Sequence, residues 1–227
     1  MRDLVIVGAG GFAREAASAA LAANRLRPTW RLRGFVDDDP ALHGTERSGL
    51  PVLGGLDVVA GMPDAAVVVC VGNSRNYVVR ERIVRRLHLP TDRYATVVHP
   101  AAEVGAGCTV GPGSVLLAGT VLTADVAVGS HVAVMPQAVL THDDRVDSYA
   151  TIASGVRLGG GAVLERGAYL GAGALVREGV TVGAWSLVGM GSVVLRDVPP
   201  GQVWAGIPAR QLRTADLPAE LTAPLRS

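Results

Sequence analysis

The sequence predicts a small α/β domain followed by a parallel β-helix, on three observations. An apolar run, a glycine turn and a helical stretch open the chain; strand-like and helix-like segments alternate to about residue 90; and from Val98 to Val194 every sixth residue is aliphatic. That series runs Val98, Val104, Val110, Leu116 and on without a break to Val182, Val188 and Val194. A second register, four residues later, holds small or β-branched residues from Ala102 and Cys108 to Ser186 and Ser192, with Asp144 as its exception. A period of six fits neither a helix at 3.6 nor a strand at 2, and calls for a chain that turns a corner at fixed intervals. The aliphatic register then fills the axis of a coil, the small register fits the corner beside it, and glycines such as Gly105, Gly111 and Gly129 ease the turns.

Before the repeat, Asp3 to Val7 is expected to be a strand, Gly8-Ala9-Gly10-Gly11-Phe12-Ala13 a turn, and Ala13 to Ala23 a helix. A second strand over Arg31 to Val36 is stopped by Asp37-Asp38-Asp39-Pro40. A short strand at Pro51 to Leu53 and a short helix at Asp57 to Ala60 lead to Val67 to Val71, whose continuous β-branched character marks a buried parallel strand. Gly72-Asn73-Ser74 closes it, with Ser74 as the expected cap of a helix ending at Leu87. The glycine turn matches G-x-G-x-x-A, which in a Rossmann domain presents free amides and a helix N-terminus to a diphosphate. Glycines that merely permit a tight turn give the same pattern.

With 227 residues, 49% of them hydrophobic, and a formal charge of +1, the chain has enough apolar material for two domains and no charge excess that points to nucleic acid. All 21 basic residues are Arg. Cys70, in an apolar run, and Cys108, in the small register, are expected as reduced core residues. No apolar run reaches bilayer length and no signal peptide is evident, so no membrane partner and a cytoplasmic location are expected.

His142 is the residue expected to carry the chemistry. It sits in Leu140-Thr141-His142-Asp143-Asp144, the acidic hexad in the middle of the repeat, beside the exception in the small register. An imidazole can take a proton from an attacking group near neutral pH, and an adjoining carboxylate orients it and supports its charged form. His131 lacks an adjoining acid and is expected to face solvent in a polar corner. A metal site built from His99, His131 and His142 is disfavoured, because none of these pairs is close in sequence; no metal is expected.

Taken together, the GAGG turn, the strand end Phe35-Val36-Asp37-Asp38, the strand end Val71-Gly72-Asn73, the unbroken hexapeptide repeat and the closing Gly206-Ile207-Pro208-Ala209-Arg210 resemble the sialic acid O-acetyltransferase and bacterial amino-sugar N-acetyltransferase family. The resemblance covers nearly all of residues 1–212 and implies an α/β N-terminal Rossmann-like domain followed by a left-handed parallel β-helix. The expected division is 1–94 for the nucleotide- or sugar-binding domain, 95–212 for the β-helix with its C-terminal cap, and 213–227 for a tail. At about 4.8 Å per coil the β-helix should stand roughly 25 Å tall.

The resemblance also implies His142 as general base with Asp143 behind it. It places the acceptor at Gly8, Gly10, Gly11, Phe12, Asp37, Asp38, Gly72 and Asn73. Acetyl-CoA, as co-substrate, is expected along Thr151, Ser154, Gly155, Ala172, Gly189 and Met190, with Arg210 near a CoA phosphate, in a groove between adjacent copies of a homotrimer. Phe12 and Thr151 depart from the family, which often has His at both positions. The reaction expected is direct acyl transfer to an amine or hydroxyl of a nucleotide-linked sugar, possible deoxy amino sugars included. No acyl-enzyme is expected, since no Ser adjoins His142. A noncatalytic sugar-nucleotide-binding scaffold and a γ-type carbonic anhydrase are the alternatives.

Overall fold

A computed structural model describes residues 1–218, and the last part of the expected tail, 219–227, lies outside the described residues. The chain opens with β1 (Arg2–Val7), α1 (Gly11–Leu26) and β2 (Trp30–Val36). A two-residue hairpin of β3 (Glu46–Arg47) and β4 (Leu50–Pro51) and a 3-10 turn (Leu56–Gly61) lead to β5 (Ala66–Val69) and α2 (Val79–Leu87). The three longer strands form a parallel sheet in the order β2-β1-β5. Its two faces bury different helices, as a parallel sheet requires. One face packs on α1, whose buried residues are all alanine (Ala13, Ala16, Ala17, Ala19, Ala20 and Ala22). Such small side chains let α1 lie close between the sheet and the β-helix, where Val97, Val115 and Leu117 complete the cluster. The other face packs on Ile83, Val84 and Leu87 of α2.

The hexads form seventeen two-residue strands, Val97–Val98 to Val193–Val194, wound as a left-handed β-helix. Strands eighteen residues apart stack in parallel, as Val97 on Val115 and Ala133 on Thr151, so each coil has three sides. The first face carries Val97–Val98, Val115–Leu116, Ala133–Val134, Thr151–Ile152, Tyr169–Leu170 and Leu187–Val188. The second runs from Glu103–Val104 to Val193–Val194, and the third from Thr109–Val110 to Thr181–Val182. Both expected registers are buried beyond the first coil: Leu122, Leu140, Ile152 and Leu164 along the axis, and Ala138, Ala150, Ala162 and Ala174 at the corners, are each 0% exposed, whereas Val104 in the first coil is 41% exposed.

Several local expectations are corrected. The first helix extends beyond Ala13 to Ala23 at both ends. Ser74 does not cap α2, whose cap is Val78 without a side-chain bond. Asn73 takes that local role instead, its Oδ1 accepting from the amides of Arg75 and Asn76 and closing a turn before the helix begins. Cys70 is buried, whereas Cys108 is half-buried in the first coil, which has no full coil below it. The prolines after Val194 end the repeat, and the chain then extends the first face while Trp204 and Ala209 join the axial core at its end. Gln202–Gly206 pairs with Leu187–Val188, and Ala209–Thr214 pairs back on it, two residues past the expected limit of 212.

His131 is the largest correction. It is 5% exposed, because the N-terminal domain covers its corner. Its ring stacks on Tyr149 at 5.2 Å and takes Tyr94 edge-on at 4.5 Å. Gly113 makes the room: a Cβ there would come within 2.3 Å of His131 Nδ1. Burial, aided by the charges of Arg80 and Arg166, lowers the imidazole pKa to about 4. His131 is therefore neutral in the fold over a range where the unfolded chain binds a proton, so the fold loses stability as pH falls from about 6.5 towards 4, by roughly 3 kcal/mol in the limit. Thermal unfolding followed from pH 7.5 to 4 should show this loss, and His131→Gln should flatten it; an unchanged pH slope in the variant would contradict the assignment.

Candidate active site

The chain brings its candidate residues together in three places. The first is a cleft of about 390 Å³ at the carboxyl ends of the parallel strands, where open α/β sheets bind ligands. Gly8, Asp37 and Asp38 line it together with Arg82 and Arg86 of α2. Gly8 is required by the backbone: its φ is +99°, and a Cβ would meet Val71 Cγ1 at 2.6 Å and Cys70 O at 2.8 Å. Asp37 ties the strand end to the glycine turn, accepting from the amides of Ala9 (2.9 Å) and Asp39 (3.0 Å). Asp38 accepts from Leu56 N and pairs with Arg86, and the Leu56 amide is the main cause that holds its carboxyl below the ordinary range. Gly10 and Gly11 are exposed and outside this cleft, and a Cβ on either would meet nothing within 4 Å.

The second place is a smaller pocket of about 150 Å³ where the N-terminal domain meets the first face of the β-helix. Phe12 and Gly72 come from one side; Thr151, Ser154 and Ala172 from the other. Sequence reasoning had named all five, in two separate groups. It missed Arg80, which lines the pocket and is 2% exposed. Arg80 Nη2 donates to Tyr149 O (2.9 Å), Ala150 O (3.0 Å) and Thr151 Oγ1 (2.8 Å), and Nη1 donates to Val71 O. Burial lowers its pKa to about 10. The signal was present: Arg80 stands three, four and seven residues before Ile83, Val84 and Leu87, a cation on the apolar stripe of α2. Its neighbour Glu81, 0% exposed, accepts from Arg85 and from Arg166 of the next coil, while Arg166 lies 4.6 Å over the Tyr149 ring.

The third place is the corner between the second and third faces, which carries Thr141 to Asp144. Asp144 breaks the small register because its carboxylate does structural work inside the corner. It is 0% exposed, Oδ2 accepts from Thr141 N (2.7 Å), and Oδ1 accepts from Ala162 N of the next coil (2.8 Å). Burial pushes its carboxyl up to about 6 against the pull of those two amides. The turn so fixed projects His142 and Asp143 outward, each 69% exposed, with His142 Nδ1 donating to Asp143 Oδ2 at 2.9 Å. A carboxylate can only accept, so Nδ1 carries the hydrogen and Nε2 keeps its lone pair for a substrate proton. The imidazole lies over Gly160, where a Cβ would come within 2.4 Å of Nε2.

Within one chain these places do not all meet. Ser154, Ala172 and Met190, each eighteen residues from the next, rise along the corner between the first and second faces, with Gly155 and Gly189 beside them. His142 stands on a different corner. Met190 is 78% exposed at the end of that strip. Arg210 lies in the C-terminal hairpin opposite Ala205, its Nη1 donating to Ala209 O. Asn73 is occupied in its own turn. His99, His131 and His142 occupy three different corners, and among the described residues no cluster of three metal-ligating side chains occurs. No helix among them is long and apolar enough to cross a membrane.

Residues 3–87 match the family model for the PglD N-terminal domain. No curated protein sequence matches the chain. Among solved structures, the acetyltransferase domain of PglB from Neisseria gonorrhoeae FA1090 is 29% identical, with 93% of this chain and 100% of that one covered and a TM-score of 0.81. A variant of perosamine N-acetyltransferase from Caulobacter crescentus, in complex with CoA and GDP-perosamine, is 28% identical over 92% of this chain and 96% of that one, at 0.82. WeeI from Acinetobacter baumannii AYE is 26% identical over 93% and 100%, at 0.65. The chain thus pairs a PglD-type N-terminal domain with a left-handed β-helix and is similar, over more than nine-tenths of its length, to bacterial sugar acetyltransferases.

Proposed function

We propose that the protein transfers the acetyl group of acetyl-CoA to the amine of a nucleotide-linked amino sugar, in the cytoplasm, as a homotrimer whose sites form between neighbouring copies. The observation that carries this reading is the exposed His142–Asp143 pair on a rigid corner, away from the sugar-sized pocket of its own chain. The choice of an amine and of a nucleotide sugar is supported by the Caulobacter relative, whose structure holds CoA and GDP-perosamine.

In this reading the cleft with Asp38 and Arg86 takes the nucleotide, and the amino sugar reaches the pocket lined by Phe12 and Gly72. The pantetheine arm follows the small residues Ser154, Gly155, Ala172 and Gly189, where little side chain stands between it and the backbone, and Arg210 meets a CoA phosphate. His142 Nε2 of the adjacent copy accepts the proton of the attacking amine as its nitrogen bonds to the thioester carbonyl carbon. The C–S bond then breaks, and the imidazolium returns the proton to the departing thiolate. Asp143 holds Nδ1–H, and the buried Asp144 fixes the turn. No acyl-enzyme intervenes.

Acetyl transfer to GDP-perosamine and its UDP- and dTDP-linked counterparts should therefore be detectable, and His142→Ala should lower kcat about 10²–10⁴-fold with acetyl-CoA binding intact. Asp143→Asn should lower it less. Turnover near wild type in purified His142→Ala would refute the role.

The trimer is supported by apolar side chains left exposed on the second face and at its edge, Leu175 at 41% and Met190 at 78%. Light scattering should give three times 23.3 kDa at assay concentration. A fully active monomer would contradict the shared site.

Phe12, Met135 and Tyr169 give the pocket an apolar wall, which suits a deoxy-sugar methyl group. Wild type should favour a 6-deoxy acceptor over its 6-hydroxy counterpart in kcat/KM, by no more than about 1–3 kcal/mol, and Phe12→His should reduce that margin. A wild-type preference for the 6-hydroxy sugar would rule the methyl subsite out.

A further inference from the structure

Arg80 is the buried cation of the pocket between the domains, and its position has no explanation in the packing of α2 alone. Val79, Ile83 and Val84 around it are apolar, and a leucine or methionine there would continue the stripe. The four atoms to which Arg80 donates are Val71 O, Tyr149 O, Ala150 O and Thr151 Oγ1, all neutral. Its sequence neighbour Glu81 is committed to Arg85 and Arg166. A guanidinium held in this way keeps its charge in a site that is otherwise walled by Phe12, Met135 and Tyr169.

The bond to Thr151 has a directional consequence. Thr151 Oγ1 accepts from Arg80 Nη2 at 2.8 Å, so one oxygen lone pair is taken and the hydroxyl dipole is turned with its negative end to the cation. The hydroxyl hydrogen must point away from Arg80, and Thr151 itself lines the pocket. A hydroxyl that accepts a charge-assisted hydrogen bond is also a stronger donor. The pocket thus presents a hydrogen-bond donor restricted to directions away from an adjacent positive charge. Such a pair suits an oxygen acceptor and opposes an ammonium group.

We infer that Thr151 is a specificity-determining donor to an oxygen of the acceptor sugar, a ring hydroxyl, and that Arg80 is the positioning residue that sets its direction. The inference rests on the amino-sugar reading given above and assigns Thr151 to the sugar rather than to the thioester. Arg80 belongs to the domain whose cleft takes the nucleotide in that reading, so the same helix that carries Arg86 at the nucleotide end carries Arg80 at the sugar end. One rigid element then measures the distance between the two ends of the acceptor.

The test is steady-state kinetics with acetyl-CoA and the GDP-, UDP- and dTDP-linked 4-amino-4,6-dideoxyhexoses. Thr151→Val removes the hydroxyl at nearly constant shape and should lower kcat/KM for the acceptor about tenfold or more, with KM for acetyl-CoA within about twofold of wild type. Thr151→Ser should recover most of the loss. Arg80→Lys should impair the acceptor similarly, yet add nothing to the acceptor defect when combined with Thr151→Val, because it acts through the hydroxyl. A role for Arg80 in folding alone would instead lower Tm and affect both substrates. An acceptor kcat/KM within about twofold of wild type in Thr151→Val, a loss that falls on acetyl-CoA, or additive effects of the two substitutions would each overturn the inference while leaving the amino-sugar reading in place. A wild-type protein that acetylates none of these sugars would overturn both.

Discussion

The number eighteen governs this molecule. Three hexads make one coil, strands eighteen residues apart stack, and a residue's corner is therefore fixed by its place in that count. The constraint comes from the interior: an aliphatic side chain every six residues can fill a three-sided coil only if each corner is small, and any slip would turn the axis register outward. The consequence for chemistry is direct. His142 and Thr151 are nine residues apart, half a coil, so no local adjustment can bring them to one side of the same chain. A site that needs both must be built from two chains.

The same geometry explains how the N-terminal domain is held. At the start of α2 it reaches three successive coils: Arg80 donates to Tyr149 O and Ala150 O, Glu81 accepts from Arg166, and Tyr77 donates to Trp185 O. Buried ions are poor sources of net stability, since desolvation offsets much of the attraction, but they penalise misplacement strongly. Here they lock the helix in register against a ladder of identical spacing. Apolar packing alone would permit a shift by one coil. Register matters because the pocket between the domains exists only when Phe12 and Gly72 face Thr151 and Ala172.

Much of this was legible in the sequence, unevenly. The repeat was, because a β-helix interior leaves no choice at six-residue steps. The turn of His142 was also legible, through the one corner where an acid replaces a small residue: Asp144 accepts two amide hydrogens there, and only a short acceptor could do so. What failed were features set by contacts that composition and motif do not show. His131 has no sequence mark that distinguishes a corner open to water from one covered by Tyr94 and Tyr149. Ser74 has the composition of a helix cap, but Asn73 one residue earlier accepts from the amides of Arg75 and Asn76 in a turn of its own, and the helix begins only at Val79. Gly8, Gly10 and Gly11 look equivalent in a motif, yet only Gly8 is forced by a close approach of backbone. Arg80 was visible as a cation on an apolar stripe, and needed the docked β-helix to acquire its meaning.

The central claim, that each active site draws His142 from one copy and the pocket from another, is open to a direct complementation measurement. His142→Ala lacks the base, and Ala172→Trp fills the pocket; each variant alone should be inactive. Co-expressed with different affinity tags and purified through both, mixed trimers contain an interface where an intact His142 faces an intact pocket, and activity should return to about one third of wild type per trimer. Doubly tagged mixed trimers that stay as inactive as either parent would contradict the shared site and place the whole reaction within a single chain.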